Sequence, residues 1–159
     1  MRKYERNLNA KWHVSSDGQP RRHRWWLVVT TPAVVKFDGG AQPNPGQGAI
    51  GYIVETDDWI EEGNESLDGG ETTNIKAEYH ALIRGLEVAR AKGCTAIEAE
   101  GDSELVVKQM RGEYGVNEPS LYPLHDRATE LAEKFEKFEI RHLPREENWE
   151  ADRLVDNSY

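Results

Sequence analysis

The spacing of apolar residues changes character near Thr73, from short β-branched runs divided by turn residues to a helical repeat, and this limits the chain to folds whose sheet is begun before the helices that cover it. The run AVVKFD, between Pro32 and Gly39-Gly40, reads as a strand with Asp38 as its last residue. QPNPGQG is a turn cluster. GAIGYIVET and WIEEGNESL, joined tightly through Asp57-Asp58, then complete an antiparallel meander. From Thr73 to Lys92 the residues Ile75, Tyr79, Leu82, Ile83, Leu86 and Ala89 fall on one helical stripe, with Gly93 placed to stop it. TAIEAEGD predicts a fourth strand, and Ser103 to about Met110 a short helix. Leu121 to Phe135 predicts a second long helix, with Leu124, Ala128, Leu131 and Phe135 on one face. KFEIRHL is a fifth strand and Asn148 to Asp156 a closing helix. The order β-β-β-α-β-α-α-β-α predicts an α/β fold, one mixed sheet with helices packed on it.

At 159 residues the chain is about one domain, long enough to bury a core without disulfides. Cys94 is its one cysteine, which excludes an intrachain bridge and a CxxC zinc site and fits a reducing compartment. No stretch approaches the roughly 18 apolar residues of a membrane span, and no apolar run follows Met1-Arg2-Lys3; a soluble cytoplasmic protein is expected. The net charge of −9 by itself argues against a nucleic-acid partner, since phosphate contacts need lysine and arginine. Its uneven distribution weakens that objection. Residues 1–26 hold Arg2, Lys3, Arg6, Lys11, Arg21, Arg22 and Arg24 against Glu5 and Asp17, a net of +5, which leaves −14 for the remainder. Residues 1–31 read as a basic arm with Trp12, Trp25 and Trp26 and a hairpin signal around SSDGQP, and residues 32–159 as the folded domain. The acidic body is equally consistent with a solvated surface.

Four carboxylates, Asp38, Glu78, Asp102 and Asp152, stand in contexts that would bring them out of the core toward one pocket. Glu78 lies about 80° from the centre of its helix's apolar stripe, at the edge of the buried face. Asn74 is one turn before Glu78, and Asn148 one turn before Asp152, so each pair offers a carboxylate for metal and an amide for hydrogen bonding. Converging carboxylates repel one another unless cations compensate, and oxygen ligands suit magnesium or manganese. Two such ions on one phosphate are the usual route to phosphodiester hydrolysis. Each residue also has a plainer use. Asp102 and Asn148 would serve as helix caps, Asp38 as a turn residue, Glu78 as a solvent-facing helix residue, and Asp152 as a partner for Lys or Arg.

The motifs themselves carry a family likeness. FDGGAQPNPGQGAIGYIV resembles the first hairpin of the ribonucleases H of type 1, and TTNIKAEYHALIRGLEVA their first helix. GDSELVVKQM is similar to their fourth strand and second helix, and PREENWEADRLV to their closing segment. The match runs from about Ala33 to Val155 in the family's order. The resemblance implies a ribonuclease H-like fold, a five-stranded mixed sheet with helices on both faces, and an endonuclease cutting the RNA strand of RNA/DNA hybrids. It implies two Mg²⁺ ions, with Mn²⁺ as a substitute, bridged by Asp38, with Glu78 and Asp102 on one and Asp152 completing the other. Products would carry 5′-phosphate and 3′-hydroxyl ends. Gly39, Gly40, Ala41, Asn44, Asn74 and Asn148 would face the substrate. The expected partner is the hybrid duplex, with no membrane, no obligate protein partner and a monomeric state.

The chain departs from the family pattern in three places. Ile75 follows Asn74 where relatives often carry a second polar residue, and Glu104 stands where a glutamine is common. The RGEYGVNE loop lacks the basic, Trp-rich protrusion of some bacterial members, which makes the N-terminal arm a candidate substitute. His142, alternating with Phe138 and Ile140, reads as a strand residue, and Ser103 beside Asp102 makes no hydrolase triad in the absence of a GxSxG elbow. The alternative to an enzyme is a non-catalytic hybrid- or double-stranded-RNA-binding member of the fold. Loss of one of the four carboxylates would favour that alternative, and all four are present.

Overall fold

The computed structural model describes residues 12–14, 20–22 and 30–159. Strands β1 (Trp12–Val14) and β2 (Pro20–Arg22) pair antiparallel, with Trp12 opposite Arg22. The rest of the expected arm, including a strand at Trp25–Thr31, lies outside the described residues apart from Thr30 and Thr31.

The domain is built on β3 (Pro32–Gln42), β4 (Gly46–Glu55), β5 (Ile60–Thr72), β6 (Ala96–Gly101) and β7 (Lys137–His142), in the spatial order β5-β4-β3-β6-β7. The first three form the antiparallel meander, and β6 and β7 join β3 in parallel. Parallel neighbours need a crossover, and helices supply it. Helix α1 (Asn74–Ala91) links β5 to β6, while α2 (Glu104–Met110) and α3 (Tyr122–Glu133) link β6 to β7. Helix α4 (Trp149–Asp156) follows β7.

Alternation along β3 sorts the two faces of the sheet. Ala33, Val35 and Phe37 are buried in a core shared with Tyr79, Leu82 and Leu86 of α1, Val106 and Val107 of α2, and Ala128 and Leu131 of α3. The hydroxyl of buried Tyr79 donates to Gln109 Oε1 at 2.7 Å, so the join between α1 and α2 leaves that phenol satisfied. Helix α4 covers the opposite face. There Lys36 Nζ meets Glu150 Oε1 at 2.8 Å, and a Cβ on Gly51 would lie 2.6 Å from the Ala151 carbonyl oxygen. Helices thus pack on both faces, as the sequence implies.

One expectation is corrected. Strand β3 does not end at Asp38, because Gly39 and Gly40 stay extended and pair with Ile50 and Ala49 of β4. What stops there is the parallel partnership: Phe37 opposite Gly101 is the last pair between β3 and β6. Gly39 is a glycine for packing and not for turning, since a Cβ would lie 2.6 Å from the Glu78 nitrogen of α1. Strand β5 likewise runs through Gly69 and Gly70, which take φ of +106° and +68° that L side chains avoid. Gly39→Ala should therefore push α1 off the sheet and cost roughly 1–3 kcal/mol, read as a lower urea midpoint. An unchanged midpoint would contradict this close approach.

Candidate active site

Register alone brings the first two carboxylates together. With Phe37 opposite Gly101, the next residues on the two parallel strands are Asp38 and Asp102. The contact of α1 with Gly39 delivers Glu78 to the same point from the other face. One carboxylate oxygen from each of Asp38, Glu78 and Asp102 lies within 4.8 Å of the others.

Local capping leaves these groups free for that purpose. Thr73 starts α1, its hydroxyl oxygen accepting the Lys76 N–H at 3.2 Å. Ser103 starts α2, accepting from the Val106 N–H at 3.3 Å, so Asp102 is not the cap. Asn148 precedes α4 but makes no side-chain cap. Its Nδ2 instead donates to the Phe37 carbonyl at 3.0 Å and to Asp102 Oδ2 at 3.2 Å, tying β3, the end of β6 and α4 into one unit. Asn148, expected at the substrate, is 0% exposed, and its amide is turned onto Asp102.

The charge balance of the cluster is unfavourable as it stands. Asp38 is 2% exposed, and burial, then the charges of Asp102 and Asp152, push its carboxyl up from 3.8 to about 7. Glu78, 6% exposed, is pushed well above the carboxylate range by burial first and then by Asp38 and Asp102. Its Oε2 is buried with no hydrogen-bond partner. An orphaned carboxylate oxygen among two other carboxylates suits a hard divalent cation, which favours all-oxygen ligands.

Asp152, on the first turn of α4, stands outside the group of three. It adds to the repulsion on Asp38, and Arg145 Nη2 donates to its Oδ1 at 3.3 Å. Burial opposes the Arg145 charge, but the fields of Asp102, Asp38, Asp152 and Glu78 outweigh it and raise its pKa. His142 is exposed at the end of β7, with Nε2 3.2 Å from the Asp102 carbonyl.

The residues expected at the substrate form a connected strip. Asn74 Oδ1 accepts the Ala41 N–H at 2.9 Å, and Asn44 Oδ1 accepts the Asn74 N–H at 3.1 Å. The turn after β3 is thereby locked to the start of α1, beside Gly39 and Gly40. Glu104 is paired with Lys108 at 2.7 Å, and Ile75 packs against the core. Arg145, which lies in the field of the carboxylates, and Tyr159, whose hydroxyl lies over Gly40, are not legible in the sequence as neighbours of those groups. The seven-residue interval from Arg145 to Asp152 crosses a 3₁₀ turn, Arg145–Glu147, which hides the pairing from helical spacing. Tyr159 lies beyond any periodic element.

A meander followed by two parallel strands, with acidic residues at the strand ends and on the helix beneath, defines a ribonuclease H-like domain. Residues 36–158 match the family model described as reverse transcriptase-like. The chain is 40% identical over 124 residues to ribonuclease HI of Halobacterium salinarum, covering 77% of this chain and 61% of that protein. It is 38% identical over 128 residues to the bifunctional protein Rv2228c of Mycobacterium tuberculosis, covering 79% of this chain and 35% of that one. The chain thus spans less than two thirds of the length of either relative. Among solved structures, Halobacterium salinarum RNase H1 superposes with a TM-score of 0.75 at 40% identity, covering 80% of this chain and 96% of that one. LC11-RNase H1 in complex with an RNA/DNA hybrid gives 0.73 at 36% identity, covering 79% and 95%. The chain belongs to the ribonuclease H type 1 family.

Because Asp38 protonates near 3.8 when unfolded and at about 7 when folded, the metal-free fold holds the extra proton between those values. Its contribution is complete below about pH 4 and is lost as pH rises through about 7. In EDTA the melting temperature should fall between pH 5 and pH 8, and Asp38→Asn should flatten that fall. A profile unaffected by Asp38→Asn would contradict the assignment.

Proposed function

We propose that the chain hydrolyses the RNA strand of RNA/DNA hybrids, using divalent ions held by Asp38, Glu78, Asp102 and Asp152. The observation that carries this is the trio of carboxylates within 4.8 Å, one with an orphaned buried oxygen, at the strand ends of a ribonuclease H type 1 domain. The hybrid bound in the LC11-RNase H1 structure supports the substrate class. Asp38, at the centre, interacts with all three other carboxylates, which fits a bridging ligand. A divalent ion such as Mg²⁺ or Mn²⁺ held there would supply an activated water and charge neutralisation for the departing 3′ oxygen, a route that leaves 5′-phosphate and 3′-hydroxyl ends.

The protein's own residues then have distinct tasks. Asn148 holds Asp102 in place through its amide, so that carboxylate enters the reaction already oriented. Arg145 donates to Asp152 and offsets its charge, and Asp152 would serve as the fourth carboxylate toward the divalent ions. The Ala41, Asn44 and Asn74 strip presents amides and backbone groups to the minor groove, where 2′-hydroxyls distinguish RNA from DNA. No helix among the described residues is long and apolar enough to cross a membrane. We place the enzyme in the cytoplasm as a monomer acting directly on the duplex.

The test compares hybrid, RNA duplex and DNA duplex in Mg²⁺, Mn²⁺ and EDTA. Cleavage should be confined to the RNA strand of the hybrid and abolished by EDTA. Asp38→Asn should lower turnover by at least about 10³-fold while leaving the fold intact. Hybrid binding without cleavage in either cation would establish a non-catalytic binder instead.

A further inference from the structure

Tyr159 reaches the carboxylate face of the sheet without serving to hold it together. Asp38 and Gly40 are two residues apart on β3 and so share a face. A Cβ on Gly40 would lie 2.8 Å from the Tyr159 hydroxyl, 3.8 Å from Asn74 Oδ1 and 3.9 Å from Val155 Cγ1. The phenol therefore sits over Gly40, one step along the strand from Asp38, with Asn74 Oδ1 near the same point.

Its placement is fixed by the backbone. The Ser158 N–H donates to the Val155 carbonyl at 2.9 Å, the Ser158 hydroxyl donates to the Leu154 carbonyl at 3.1 Å, and Ser66 of β5 donates its hydroxyl to the Ser158 carbonyl. Yet Tyr159 is 43% exposed, and its hydroxyl makes no hydrogen bond among the described residues. Burial first, then the charges of Asp38 and Asp156, push its pKa up, so it remains a neutral donor at physiological pH. The groups meeting at Gly40 are a phenol, an amide and a valine, none of them cationic. Such a set matches a neutral hydroxyl better than a phosphate oxygen, which binds preferentially to charged donors.

We infer that the Tyr159 hydroxyl hydrogen-bonds a ribose 2′-hydroxyl of the RNA strand beside the linkage being cut, making Tyr159 a specificity residue. The inference rests on the hybrid-cleaving reading above. Gly40 is then a glycine because a side chain there would displace the phenol and fill the space the ribose enters.

The experiment is Tyr159→Phe, assayed on a hybrid and on a set of hybrids each carrying a single 2′-deoxynucleotide near the cleavage site. On the all-ribose strand kcat/KM should fall about 3- to 10-fold, the size of one hydrogen bond, with an unchanged melting temperature. On one member of the set the wild type should fall to the level of the variant, and the two should become equal. Equal rates on the all-ribose hybrid would overturn the inference alone. So would a loss that persists on every deoxy-substituted strand, which would point to a packing or phosphate role. No hybrid cleavage by the unaltered chain would overturn the functional reading and this inference with it.

Discussion

Mutual repulsion among buried carboxylates is the constraint around which this domain is organised. Asp38 and Glu78 are almost wholly removed from solvent, and Asp102 stands beside them. In water such groups would separate; here β3, β6 and α1 are each held by packing and by backbone hydrogen bonds that do not involve the carboxylates. Arg145 donates to Asp152 and lies in the field of all four carboxylates, Asp102 foremost. Burial and repulsion consequently hold Asp38 and Glu78 toward their protonated forms, and oxygens so placed suit a divalent cation.

The supporting structure is economical in its use of small residues and amides. Gly39 lets α1 approach closely enough for Glu78 to reach Asp38, and Gly51 lets α4 do the same from the opposite side. Asn148 joins both approaches by bonding the Phe37 carbonyl and Asp102 together. Ser103 and Thr73 take the helix-capping work that an aspartate would otherwise perform. Rigid elements thus converge on one point with errors set by backbone geometry rather than by flexible side chains.

Much of this is legible in the amino-acid sequence. The change of apolar period near Thr73 marks the boundary between meander and α1, and the four acidic motifs in order are enough to indicate the fold. The extent of β3 is not legible, because Gly39-Gly40 resembles a turn unless the close approach of α1 is known. The bracing contact of Asn148 is not legible for a related reason: an Asn ahead of a helix has the same sequence signature whether it caps, binds substrate or braces a neighbour. The Arg145–Asp152 pair lies across a 3₁₀ turn, and the reach of Tyr159 to Gly40 depends on Ser66 and Leu154 anchoring Ser158. Neither leaves a periodic trace.

The central claim is that a divalent cation replaces protons that the cluster otherwise retains. Calorimetric titration of the metal-free protein with Mn²⁺ near pH 6.5, in buffers of differing ionisation enthalpy, measures this exchange. Binding should release about one proton or more per chain, falling sharply in Asp38→Asn. Cation binding with no proton release would contradict the account.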